Sequence, residues 1–284
     1  MHHTKCRDRL NQAAAVAHVG IAMAQCRKSS RIEQQTKLFL SLSLVTVVLL
    51  PVPATGSGPE AASDPREIYS QEAPRWLRAV GKLQVPGSRY ENGRRSHLLE
   101  DCSATLVNGS TGSEADIIIT AWHCLENYKD LSKPILFALV SGQDKGLERE
   151  AYRLVDGGGM HADWAILRLK IPIASADVIP LLIHPERATP ATSISMAGYS
   201  RDSAMGDYGN HLTYHPKCLI TGTEYTVNDS NCVAYKGASG GAVVQLSGTG
   251  TPWFSGVISQ GDSAGLSRFV PVAVFRSALS LHLD

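Results

Sequence analysis

A surplus of charge of either sign is missing from this 284-residue chain: Lys and Arg total 27, Asp and Glu 26, for a formal net charge of +1. A balance so close to zero argues against a dedicated nucleic-acid binder, which carries a basic surplus. Aromatic residues are scarce, at 6%, while there are 25 glycines, a mixture that leans towards turns and strands. No CxxC or HxxxH spacing accompanies the six cysteines, which disfavours a zinc site. No internal repeat stands out. Disorder is excluded by what is present, since 43% hydrophobic and 19% charged residues fall in the ordinary globular range. The length suits one large domain or two small ones.

A long apolar run is also lacking. The best candidate, Leu38 to Leu50, has thirteen uncharged residues, against the roughly 20 that a membrane span needs. It fits the apolar core of an export signal, with Arg27, Lys28, Arg31 and Lys37 before it and helix-breaking Pro51 and Pro53 after it. Val52-Pro53-Ala54 and Ala54-Thr55-Gly56 offer small residues for a signal peptidase. Residues 1–54 therefore read as an export signal with a long basic leading segment, and Met23 would be a more usual start. A retained membrane anchor and a buried core helix are the competing readings. Residues 55–69 read as a linker or short pro-segment, rich in Gly, Ser, Pro and Ala, and residues 70–284 as the folded part. The expected location is secreted or periplasmic, with membrane association only if the apolar segment stays as an anchor. Residues 1–37 carry a net +5, so their removal takes the formal charge from +1 to −4. Removing the whole signal leaves four cysteines, Cys102, Cys124, Cys218 and Cys232. An even number in an exported protein suggests two disulfides. Three pairings are open, and free thiols are the alternative.

The remainder reads as short apolar runs between turn residues. Strands are expected over Trp76–Val85, Cys102–Val107, Ile117–Thr120, Ile135–Val140, Trp164–Leu169, Thr192–Ala197, Ala242–Leu246 and Phe254–Ser259. Asn108-Gly109 is a hairpin signal. Many short strands with Gly and Pro turns imply an all-β sandwich or barrel. Val272–Leu283 has apolar residues at helical spacing and predicts a terminal helix. Asn108-Gly-Ser110 and Asn228-Asp-Ser230 match the glycosylation acceptor pattern, and each reads more simply as a turn.

Three short motifs bear chemistry. Thr120-Ala-Trp-His123-Cys124 places a histidine, the side chain best suited to move a proton near neutral pH, after an apolar strand. Ala162-Asp163-Trp-Ala-Ile-Leu167 places a carboxylate at the mouth of another. Lys236-Gly237-Ala-Ser239-Gly-Gly241 surrounds a serine with glycines, which allow a tight turn with amides free to face a substrate. Each alone has a bland reading: a structural histidine, a turn aspartate, a surface loop. Their order, His123, Asp163, Ser239, with spacings of 40 and 76, is far more specific.

Together they resemble the trypsin/chymotrypsin-like serine protease family, closest in style to its bacterial secreted members. TAWHC is similar to that family's TAAHC, DWAIL to its DIAL, GASGG to its GDSGG, and Gly256-Val-Ile-Ser-Gln-Gly261 to its GIVSWG. The resemblance covers about residues 70 to 284. It implies two antiparallel six-stranded β-barrels with the active site between them, followed by a C-terminal helix. It implies bridges Cys102–Cys124 and Cys218–Cys232. It implies Ser239 as nucleophile, His123 as general base, Asp163 as its orienting carboxylate, and the N–H groups of Gly237 and Ser239 as the oxyanion hole. Ser259, Gln260 and Gly261 would pair with substrate backbone, and Val233 would form the floor of the specificity pocket. The α/β-hydrolase order, serine first, does not fit.

The implied function is a secreted serine endopeptidase acting on proteins or peptides, with no metal or organic cofactor and no nucleic-acid partner. A secreted, non-catalytic homologue that only binds a partner is the alternative, and an intact His123, Asp163 and Ser239 speaks against it. Ala238 replaces the aspartate that, in many animal members, receives the new N-terminal ammonium after activation cleavage. Activity is therefore expected not to depend on a freed terminus at that position. Valine at 233 argues against cleavage after Lys or Arg and leans towards small or apolar side chains.

Overall fold

The computed structural model describes residues 63–140, 146–190, 192–262 and 265–283. The expected export signal and most of the linker lie outside the described residues. Among the described residues no helix is long and apolar enough to cross a membrane.

The strands in chain order are β1 (Glu67–Ile68), β2 (Val80–Glu91), β3 (Arg94–Asn108), β4 (Glu114–Thr120), β5 (Ile135–Leu139), β6 (Leu147–Asp156) and β7 (Ala165–Ala174). They continue with β8 (Leu181–Ile183), β9 (Ser193–Gly198), β10 (Thr213–Thr223), β11 (Asn228–Ser230), β12 (Ala242–Leu246), β13 (Pro252–Gly261) and β14 (Ser267–Pro271), and end in helix α1 (Val272–Leu279). Antiparallel pairing closes β3-β2-β5-β6-β7-β4 into one ring of six. A second ring of six closes through β12-β9-β10-β11-β14-β13. Short β8 pairs in parallel with β3 and β13 and joins the rings. The expected pair of barrels with a terminal helix is what the chain forms.

Each ring closes over its own apolar interior. Leu83, Leu106, Ile118, Ile119, Ile135, Phe137 and Ile166 are buried in the first, and Ile194, Met196, Ile220, Val243, Ile258 and Phe269 in the second. Closure leaves no unpaired edge around the ring, so β-branched runs such as Ile117–Ile119 are buried rather than aggregation-prone. Helix α1 buries Val272, Phe275 and Leu279, and Phe275 stacks on Trp164 at 5.2 Å between ring centroids. Cys102 and Cys124 are bridged, as are Cys218 and Cys232. Each bridge contributes roughly 3 kcal/mol, chiefly by restricting the unfolded chain.

Several local expectations shift. The tight two-residue hairpin turn is Asn92-Gly93, not Asn108-Gly109. Both Asn92 and Gly93 have positive φ, and Glu91 pairs directly with Arg94. After Asn108, five residues intervene before β4. Trp76 lies in a 3-10 turn, Arg75–Ala79, so β2 begins only at Val80. The Asn228 segment is the buried strand β11 rather than a turn, and a buried Asn228 cannot carry a glycan. The stretch read as linker up to residue 69 is already part of the fold at its end. Glu67 and Ile68 pair with Tyr214 and Thr213, and the Tyr69 N–H donates to Leu212 O at 2.9 Å. Composition missed this because backbone pairing does not need apolar side chains.

Candidate active site

His123 lies in a 3-10 turn, Trp122–Leu125, where β4 ends. The Cys102–Cys124 bridge ties that turn to β3. Asp163 lies just before β7, with its side chain fully buried. The tight approach of Gly157 to the Ala162 carbonyl folds this loop back, since a Cβ on Gly157 would lie 1.9 Å from that oxygen. The two residues meet at one end of the paired strands β4 and β7, where Thr120 stands opposite Ala165. His123 Nδ1 is 2.9 Å from Asp163 Oδ2 and 3.1 Å from Oδ1, and the His123 backbone N–H donates to Oδ1 at 2.9 Å. A carboxylate can only accept, so Nδ1 carries the proton and Nε2 is left as the basic nitrogen.

A third donor completes the buried carboxylate: the Ser259 hydroxyl donates to Asp163 Oδ2 at 2.5 Å. The register of β13 against β14 slips between Ile258 and Gln260, so Ser259 is the extra residue of a bulge. A bulge re-aims a side chain, and here it directs the Ser259 hydroxyl across to the other barrel. Sequence reading assigned Ser259 to the substrate edge and missed this contact, which spans 96 positions and leaves no local signal. Ser259→Ala is expected to lower kcat about tenfold and stability by about 1.5–3 kcal/mol, the usual contribution of a hydrogen bond to a charged group. Steady-state kinetics together with a denaturation midpoint check both.

Ser239 sits in a turn built by glycines in left-handed conformations, Gly237 at φ +97° and Gly240 at φ +84°. The carbonyls that precede the Gly237 and Ser239 N–H groups are both held: Lys236 O accepts from Arg201 N–H at 2.7 Å and Ala238 O from Gly241 N–H at 2.9 Å. In each peptide the following N–H points the other way. Among the described residues the Gly237 and Ser239 N–H groups donate to nothing. Two N–H groups left free beside a serine are able to receive a developing oxyanion, the role that the resemblance gives them. Ser103 clamps the turn to the first barrel, which the sequence reading did not foresee. Its N–H donates to Ser239 O at 2.8 Å and its hydroxyl to Gly237 O at 2.9 Å. The same hydroxyl accepts the Tyr199 N–H at 2.8 Å. Ser239 Oγ makes no hydrogen bond to His123 among the described residues. Such contacts commonly tighten only with substrate bound.

A cavity of about 540 Å³ opens beside Ser239, lined by the apolar Ala234, Ile258 and Leu266, by Gln260 and Gly261, and by the charged Lys236, Asp262 and Arg268. Gln260 and Gly261, expected to pair with substrate backbone, line this cavity. Val233 is not part of this lining, and its neighbour Ala234 is. The Val233 N–H instead donates to His215 Nδ1 at 2.9 Å. That acceptor requires a neutral imidazole, and burial holds His215 below its ordinary value near 6.5. The unfolded chain therefore binds more protons than the fold just below that pH. Stability is expected to hold above about pH 6.5 and to fall as pH drops further. His215→Gln should flatten that limb in denaturant midpoints measured against pH.

Ligand atoms of Cys102, His123 and Cys124 lie within 4.8 Å of one another. The two sulfurs are joined to each other, so they are not thiolates, and this donor set does not suit a metal.

A family model described as a trypsin-like peptidase domain matches residues 102–249, a span that contains His123, Asp163 and Ser239. No curated protein matches the chain. Among solved structures the chain is similar to the crystal structure of the serine endoprotease from Yersinia pestis, with a TM-score of 0.50 and 17% identity. The similarity covers 73% of this chain and 63% of that one, so the chain spans less than two thirds of that protein's length.

Proposed function

Because the chain belongs to the family of trypsin-like peptidase domains, we propose that it is an exported serine endopeptidase that works through an acyl-enzyme. The observation that carries this reading is the His123–Asp163 pair at 2.9 Å, next to which Cys124 Sγ lies 3.9 Å from Ser239 O in a glycine turn with two N–H groups that have no acceptor among the described residues. A serine hydroxyl is a weak nucleophile and needs a base within reach. His123 Nε2 takes the Ser239 proton as Oγ bonds to the scissile carbonyl carbon. The carbonyl oxygen becomes an oxyanion received by the Gly237 and Ser239 N–H groups. Asp163 holds the Nδ1–H and stabilises the imidazolium. The proton then passes to the departing amine as the C–N bond breaks. Water, deprotonated by the same histidine, releases the acid and restores Ser239.

Ser259, Gln260 and Gly261 offer a strand edge along which substrate backbone adds. The Ala234, Ile258 and Leu266 part of the cavity wall suits a small or apolar side chain before the cut, and the wall also carries Lys236, Asp262 and Arg268. Two disulfides and the apolar segment near the start of the sequence support export to a secreted or periplasmic location. Digestion of a diverse peptide library tests the proposal. The wild-type protein should cleave, preferring small or apolar residues over Lys and Arg, and Ser239→Ala should not. A wild type that cleaves nothing would favour a binding homologue.

A further inference from the structure

Among the described residues only two charged side chains belong to buried residues. Asp163 is one. The other is Arg66, outside the site, with its side chain 1% exposed. A buried guanidinium is costly unless it is fully paired, and Arg66 is. Its Nη2 donates to Asp64 Oδ2 at 2.6 Å, its Nε lies 3.0 and 3.1 Å from the two oxygens of the same carboxylate, and its Nη1 donates to Asp202 Oδ2 at 2.8 Å. Its plane carbon stands 4.1 Å from the centre of the Tyr235 ring. The segment behind it is held to the second barrel by the β1–β10 pairing and by the hydrogen bond of Tyr214 to Glu67.

Two of these partners, Asp202 and Tyr235, lead to the turn that carries Ser239. Asp202 Oδ1 accepts the N–H groups of Ala204 and Gly206 at 3.2 and 3.3 Å, which fixes the loop after β9. The residue before Asp202 is Arg201, whose N–H holds Lys236 O at 2.7 Å. Tyr235 O accepts the Ala238 N–H at 3.0 Å. Gly237 packs so closely on this loop that a Cβ there would lie 2.5 Å from Tyr199 O. Ala238, buried in the middle of the turn, has no polar group with which to brace it.

We propose that Arg66 is a positioning residue: residues 64–69 form a strap whose guanidinium, acting through Asp202 and Tyr235, holds the 235–239 turn so that the Gly237 and Ser239 N–H groups converge on one point. The inference rests on the role given to those N–H groups above. It means that the oxyanion hole is braced by an arginine internal to the chain, and needs no newly freed terminus.

The test compares Arg66→Met, Asp202→Asn and Arg66→Lys with wild type in the full chain. It uses amide hydrogen exchange of peptides covering residues 235–241, and kcat and KM on the best library peptide per titrated active site. Arg66→Met and Asp202→Asn should speed exchange in 235–241 about tenfold or more while the segment around His123 stays unchanged. They should lower kcat about 10- to 100-fold with KM within about threefold, because a misaimed donor acts in the transition state. Arg66→Lys, which keeps the charge, should recover part of both effects. Should Arg66→Met not fold, Asp202→Asn carries the same reading, since it leaves the Arg66–Asp64 pair intact. Folded variants with unchanged exchange and kcat within about twofold of wild type would overturn the proposal. A wild type that cleaves nothing counts against the peptidase reading, and local exchange then decides the strap by itself.

Discussion

Ser239→Ala and His123→Ala are each expected to lower kcat by about ten-thousand- to million-fold, and the double variant no further than the worse of the two. The non-additivity follows from the roles. Without the base the hydroxyl stays protonated, and without the hydroxyl the base has nothing to activate. KM should change little, since neither side chain anchors the ground-state peptide. Asp163→Asn should cost about ten-thousand-fold. An asparagine amide turned towards Nδ1 would present a donor to a donor and favour the wrong tautomer. The buried position of Asp163, with three donors converging on its oxygens, leaves no room for solvent to correct this. Steady-state kinetics of the four variants on one peptide check the pattern, and fully additive losses would contradict a single proton-transfer unit.

Gly240→Ala is expected to be the most damaging single-methyl change. At φ +84° an alanine is already strained, and its Cβ would lie 2.1 Å from Ser103 O and 2.2 Å from Thr120 Oγ1. One of those atoms is backbone of β3 and cannot rotate away. The turn must therefore retreat, although the Ser103 N–H holds Ser239 O and the Gly240 N–H holds Ile258 O. The two barrels meet at this point, so the retreat separates Ser239 from His123. A loss of about 3 kcal/mol or more in stability is expected, with near-complete loss of activity in what remains folded. Gly93→Ala is the control. It has a similar φ of +75° at a hairpin tip with nothing within 4 Å of the added methyl, and should cost only about 1–2 kcal/mol. Denaturant midpoints of the two variants separate close approach from backbone strain.

The barrels and the catalytic candidates were legible because their signals are local. Apolar runs such as Ile117–Ile119 and Ala242–Val244 mark core strands, and His123, Asp163 and Ser239 each sit in a short motif. Strands without such runs escaped. β6 is half charged and largely outside the core, β10 is interrupted by Pro216 and Lys217 at a bulge, and β11 is only Asn-Asp-Ser. Their pairing is set by neighbours in the ring rather than by their own residues. The contacts that tune the site are longer in range still. Ser103 reaches Gly237 across 134 positions, Ser259 reaches Asp163 across 96, and Arg66 reaches Asp202 across 136. Nothing within a few residues of Arg66 distinguishes it from a linker arginine. Only the fold shows that it is buried. Val233, expected as the floor of the specificity pocket, does not line the cavity beside Ser239, whereas its neighbour Ala234 does.

The central claim is that Ser239 is an activated nucleophile. Intact-mass measurement after exposure to a serine-directed phosphonate tests it most directly. The wild-type protein should gain the mass of one phosphonyl group, mapped to Ser239, while Ser239→Ala gains none and His123→Ala gains it far more slowly. A folded wild-type protein that stays unlabelled, or one whose adduct maps to another serine, would contradict the account.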